Sequence, residues 1–184
     1  MKKYILWAVF AVVFAGVIAG AVLLYNSLSD KYSADNLNDT EKNESQTVAA
    51  PDFTMLNYDE KSVKLSDYFG KPIVLNFWAS WCPPCKAELA DFDKVCKQRT
   101  DIQFIMLNVA DGQSETVASA KKYIESEGYS FPVFFDTMLE GSSKYGASSI
   151  PMTFFINSRG EVVTYASGMI DEQTLLKAID QIDE

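Results

Sequence analysis

The chain contains no histidine. That absence removes Ser-His-Asp and Cys-His nucleophile pairs, imidazole acid-base steps and the usual histidine-containing metal sites. Cations are also in short supply, 16 Lys and Arg against 25 Asp and Glu, which argues against nucleic acid as a partner. Cysteine is limited to three residues. A zinc centre needs four ligands, so one built here would have to recruit carboxylates or a second chain.

Charge is missing altogether from Tyr4 to Tyr25. At about 1.5 Å per residue this run would extend roughly 33 Å as a helix, enough to cross a bilayer. Lys2 and Lys3 precede it, which favours a cytoplasmic amino terminus and export of the rest. Ala19-Gly20-Ala21 resembles a signal-peptide processing site. The run nevertheless continues through Val22-Leu23-Leu24 and exceeds the usual apolar region of about 7 to 15 residues. Residues 1–25 are therefore expected to be an uncleaved transmembrane signal anchor of a single-pass cell-membrane protein, with everything after them extracytoplasmic. Residues 26–49 are rich in Asn, Ser, Asp, Glu and Thr; such a segment buries too little apolar surface to offset its ordering entropy, so a flexible polar linker is expected. Residues 50–184 leave room for one domain.

Within that domain, Phe53 to Leu56 and Ser62 to Leu65 read as a small hairpin. Ile73 to Trp78 is too apolar for a half-exposed strand and is expected at the centre of a sheet. Further strands are expected at Ile102 to Val109, Val133 to Phe135, Thr153 to Ile156 and Glu161 to Tyr165, the last two forming a hairpin. Helices are expected after residue 82 as far as Lys97, from Glu115 to Glu127 with a stop at Gly128, and from Asp171 to Ile182, with a turn or two over Leu139 to Tyr145. This alternation implies an α/β domain with a mixed central sheet covered on both faces.

The most informative residues are Trp81-Cys82-Pro83-Pro84-Cys85, where the central strand gives way to a helix. Two cysteines spaced this way can form a reversible disulfide and present one sulfur to another protein. With Cys82 at the N-cap and Cys85 at N3, the Cys82 sulfur is free of helical geometry and can swing to Cys85. At the exposed helix start Cys82 would feel the positive end of the helix dipole, which favours thiolate. Cys82 is thus the expected nucleophile and Cys85 the resolving thiol. Pro83 suits the first helical position and Pro84 stiffens the turn. Neither has an N–H, so only Cys85 and later residues can donate to the Cys82 sulfur. A moderately lowered Cys82 pKa and a reducing or intermediate potential follow, rather than an extreme thiol near about 3.5.

Helical spacing places Cys85, Leu89, Phe92 and Cys96 on one apolar stripe, so Cys96 is expected to be a buried small hydrophobe. Glu88 falls in the same sector, between Phe92 and Val95. A partly desolvated carboxyl there would have a raised pKa and could shuttle the proton that Cys85 loses and regains; an ordinary helix glutamate reaching solvent is the alternative. Phe77, Trp78 and Trp81 are core or rim aromatics by default.

Asn76-Phe77-Trp78-Ala79-Ser80-Trp81-Cys82-Pro83-Pro84-Cys85-Lys86-Ala87-Glu88, with Ala50-Pro51-Asp52-Phe53, Gly70-Lys71-Pro72 and Ile150-Pro151-Met152-Thr153-Phe154, resembles the bacterial membrane-anchored thioredoxin-like proteins of the TlpA/ResA type. The resemblance implies a thioredoxin fold with an extra amino-terminal hairpin and a central insertion at Gln113 to Asp136. It implies that Pro151 is a cis proline facing the disulfide, that Trp81, Pro83, Pro84, Ile150 and Pro151 contact substrate, and that Glu88 is the active-site glutamate. Asn76 stands where thioredoxins carry a buried aspartate. Two departures are visible: Ala90 holds a place where the family often has proline, and Met152 replaces a commoner threonine.

The function so implied is a thiol-disulfide oxidoreductase with no cofactor beyond the Cys82-Cys85 pair. It would reduce exported protein substrates, such as apocytochrome c or oxidised surface enzymes, and be recharged by a membrane electron-donor protein. Running the same residues as a disulfide-introducing oxidase is a second reading, because potential depends on the thiolate's full surroundings. A non-catalytic metal- or peptide-binding module is a third. A peroxidase is poorly served by a paired motif.

Overall fold

The computed structural model describes Leu37–Asp39 and residues 48–182. The expected anchor at residues 1–25 and most of the expected linker lie outside the described residues. Among those described, no helix is long and apolar enough to cross a membrane.

Strand β5, Ile73–Trp78, is buried at all six positions, the burial on both faces that a central strand requires. Because side chains alternate across a strand, Ile73, Leu75 and Phe77 enter one core while Val74 and Trp78 enter the other. Helix α1, Pro83–Gln98, connects β5 to the parallel strand β6, Gln103–Asn108. Helix α2, Val117–Glu127, connects β6 to the parallel strand β7, Val133–Phe135. On the other side of β5 lies β8, Met152–Ile156, antiparallel, followed by β9, Glu161–Ser167. The hairpin of β3, Thr54–Leu56, and β4, Ser62–Lys64, extends the opposite edge through β7. The outcome is one mixed sheet in a thioredoxin-like α/β fold, with the amino-terminal hairpin in place.

The α1 face of the sheet also receives α2 and the closing helix α4, Glu172–Ile179. Leu89, Phe92 and Val95 of α1 are fully buried there, with Phe104, Phe155 and Leu175. The other face is covered by Phe53, Leu65 of the 3-10 turn Leu65–Tyr68, and Tyr145 beside the short helix α3, Glu140–Lys144.

Two boundaries differ from expectation for physical reasons. Helix α2 begins at Val117, because Thr116 caps it by accepting from the Ser119 N–H and Glu115 is engaged elsewhere. It stops where expected, with Gly128 left-handed at φ 71° and its N–H donating to the Ile124 carbonyl, a conformation that suits a residue without Cβ. The folded part also reaches back beyond residue 50: β1, Leu37–Asp39, and β2, Val48–Ala49, both pair antiparallel with β9. Val48 and Ala49 remain exposed, so this attachment is made by backbone hydrogen bonds, which an apolar-content criterion does not register.

Candidate active site

Pro83 and Pro84 open α1, and Cys82 is its N-cap in extended conformation (φ −87°, ψ 109°). Cys82 and Cys85 are joined as a disulfide with their Cα atoms 5.3 Å apart. The Cys85 N–H donates to the Cys82 sulfur at 3.2 Å, the first amide beyond the two prolines. The expectation of an exposed Cys82 is corrected: only 2% of it is accessible, and Cys85 is fully buried. Bonding to Cys85, which faces the core, draws the Cys82 sulfur inward, where the Ile150 carbonyl oxygen lies 3.7 Å from it. In the dithiol state that oxygen can accept from the Cys82 S–H. Trp81, by contrast, is 55% exposed, and Pro83 and Pro84 are exposed beside it.

The Ile150–Pro151 peptide is cis. Pro151 is buried and Ile150 half-buried, so the start of β8 abuts the disulfide across the switch between β5 and β8. The Pro151 carbonyl accepts from the Gly168 N–H at 2.9 Å. Gly168 has φ 91°, a left-handed bend that turns the chain after β9 so that Ile170 points back at α1.

Glu88 is 1% exposed. Its Oε1 accepts from Asn76 Nδ2 at 2.9 Å and its Oε2 from the Ile170 N–H at 3.0 Å. Asn76 Nδ2 also donates to Thr153 Oγ1 at 2.9 Å, its neighbour across the β5–β8 ladder. Desolvation pushes the Glu88 pKa up to about 7, against the opposing pull of those two hydrogen bonds. The carboxyl therefore changes protonation near neutral pH, one helical turn from Cys85.

Residues 47–165 match the AhpC/TSA family. The chain belongs to that family.

Within the AhpC/TSA family its similarity is to named thiol-disulfide oxidoreductases. It is 34% identical to the thiol-disulfide oxidoreductase ResA of Bacillus subtilis strain 168, over 68% of this chain and 69% of that one. Among solved structures it resembles the pneumococcal exposed lipoprotein thioredoxin Etrx1 of Streptococcus pneumoniae strain TIGR4, with 31% identity and TM-score 0.63, covering 71% of this chain and 98% of the other. StoA from Bacillus subtilis aligns with 25% identity and TM-score 0.61 over 72% and 98% of the two chains. This AhpC/TSA protein is accordingly a thiol-disulfide oxidoreductase with a thioredoxin-like domain.

The structure gathers Cys82, Cys85, Glu88, Ile150 and Pro151 into one place, with Trp81, Pro83 and Pro84 on its exposed side. Cys96 stays apart and is only half-buried, not the fully buried position its stripe suggested; burial still pushes its thiol pKa up. Two participants were not visible as such. Thr153 completes the Glu88–Asn76 chain, and the polar Asn76 in an otherwise apolar strand was its only signal. Glu115 is buried and accepts a hydrogen bond from the Ser80 N–H, which spacing along the chain does not reveal.

Proposed function

We propose that this oxidoreductase is a membrane-tethered reductase of disulfides in exported proteins, acting outside the cytoplasm. The observation that carries the reading is a disulfide at the N-terminus of α1 with a buried carboxyl, Glu88, one turn behind the resolving sulfur. The Cys82 thiolate, favoured by the helix dipole and the Cys85 N–H, attacks one sulfur of the substrate disulfide. A mixed disulfide forms and the other substrate sulfur leaves, taking a proton. Ionised Glu88 accepts the Cys85 proton, and the Cys85 thiolate attacks the Cys82 sulfur. The second substrate thiol is released and the Cys82–Cys85 disulfide closes. Two electrons from a membrane dithiol donor then restore the starting state, so no cofactor beyond the cysteine pair is required.

Asn76 can serve both protonation states of Glu88. Its Nδ2 donates to the carboxylate, while its Oδ1 has no protein partner; turning the amide would let Oδ1 accept from the protonated carboxyl. The tether rests on the uncharged run from Tyr4 to Tyr25 behind Lys2 and Lys3. Apocytochrome c and oxidised surface enzymes are the substrate classes to which the TlpA/ResA resemblance points. The site contacts assigned to substrate are Trp81, Pro83, Pro84, Ile150 and Pro151.

Cys85→Ala in the full chain, expressed in cells, tests this directly. Stable mixed disulfides between Cys82 and exported cysteine-bearing proteins are expected, recovered with the membrane fraction. Adducts confined to cytoplasmic proteins, or none at all beside an active wild type, would contradict the proposal.

A further inference from the structure

We infer that Glu115 is a positioning residue for thiol-disulfide exchange: its carboxylate, delivered by the loop between β6 and α2, holds the turn that carries Trp81 and Cys82. The turn itself is closed on one side by the Cys82 N–H donating to the Ala79 carbonyl at 3.2 Å. That bond leaves the Ser80 N–H pointing elsewhere, and it donates to Glu115 Oε2 at 2.5 Å. Glu115 Oε1 accepts from the Ser119 hydroxyl in the first turn of α2. A carboxylate only 1% exposed that is bonded to an amide and a hydroxyl fills space no better than leucine would, and an apolar residue would leave the Ser80 N–H unpaired.

The delivering loop is itself constrained. Asp111 Oδ1 accepts from the N–H groups of Gln113 at 2.8 Å and Glu115 at 2.9 Å, and the Glu115 carbonyl accepts from the Gly112 N–H at 2.9 Å. The carboxylate thus arrives on a rigid arm and fixes Ser80, two residues before the nucleophile. Thiol-disulfide exchange needs the attacking sulfur aligned with the substrate S–S bond, so a small rotation of this turn misaligns it.

The inference concerns exchange itself, so it stands or falls separately from the membrane tether and the direction of electron flow. Its test is a paired measurement on the reduced full chain: amide exchange at Ser80, and the rate constant for reduction of insulin disulfides. In Glu115→Ala, Ser80 exchange should rise at least tenfold and the rate fall at least tenfold, while Val74 and Leu75 keep their protection. Glu115→Gln, whose amide oxygen can still accept from Ser80, should recover most of both. Ser119→Ala keeps the carboxylate but loosens it; a smaller rise and a matching smaller fall are expected, and this variant decides the matter should Glu115→Ala not fold. A rate that falls with Ser80 still protected, or Ser80 freed with the rate unchanged, would overturn the inference.

Discussion

Glu88 is held at its ends by Asn76 and the Ile170 amide and surrounded by core, so its two protonation states differ in their effect on the fold. Its pKa of about 7 lies above the ordinary 4.5. As pH rises from 4.5 the unfolded chain gives up this proton first, so the folded state loses relative stability until about pH 7 and no further. At about 1.4 kcal/mol per pH unit over that window, wild type should lose about 3 kcal/mol relative to Glu88→Gln, measured by denaturant unfolding at a series of pH values. The same variant should turn over disulfides about 10- to 100-fold more slowly and lose the inflection near pH 7. Cys96 gives the opposite expectation: with its thiol held protonated by burial, Cys96→Ala should leave turnover within about twofold of wild type. Cys82 and Cys85 stood out by their spacing at a strand-to-helix junction, whereas helical spacing placed Glu88 in the apolar sector without deciding between the thiols and solvent; its burial beside Asn76 and Ile170 is a property of the fold. Glu115 was not legible, since Ser80, its partner, lies 35 residues away.

The elements themselves were largely legible, for reasons that differ. Strand β5 was found because burial on both faces leaves an unbroken apolar run, and α1 because two prolines and a cysteine mark its start. The terminus of α2 was found through Gly128. Its left-handed φ of 71° strains any residue with a Cβ, so Gly128→Ala should destabilise the protein by about 1 kcal/mol with an unchanged m-value in urea unfolding. Strands β1 and β2 escaped notice because they join β9 through main-chain bonds, and the backbone of a polar segment pairs as well as any other. Burial of Cys82 escaped notice for a related reason: the disulfide draws its sulfur toward the core, where the backbone carbonyl of Ile150, 68 residues along the chain, lies against it.

At the scale of the molecule, the sheet explains why one end is chemical. Strands β5 and β6 run parallel and β8 runs the other way, so the carboxyl end of β5, the carboxyl end of β6 and the start of β8 meet at one edge. That edge collects Cys82, the loop of Glu115 and cis-Pro151, and β9 brings Ile170 to the same place. Ligand and substrate sites of open α/β sheets form where strand order reverses in this way. A mixed sheet with β5 at its centre and a β8–β9 hairpin was readable from the sequence patterns; the order of the remaining strands and the side chains that converge at the edge were not, because both are properties of the closed sheet.

The reductase reading turns on the equilibrium potential of the Cys82–Cys85 pair, measured by thiol trapping of the full chain across a graded redox buffer. A single two-electron transition with a midpoint more negative than about −200 mV is expected, in the range of dithiols that donate electrons. A midpoint near about −120 mV, where strong disulfide oxidants lie, would contradict it.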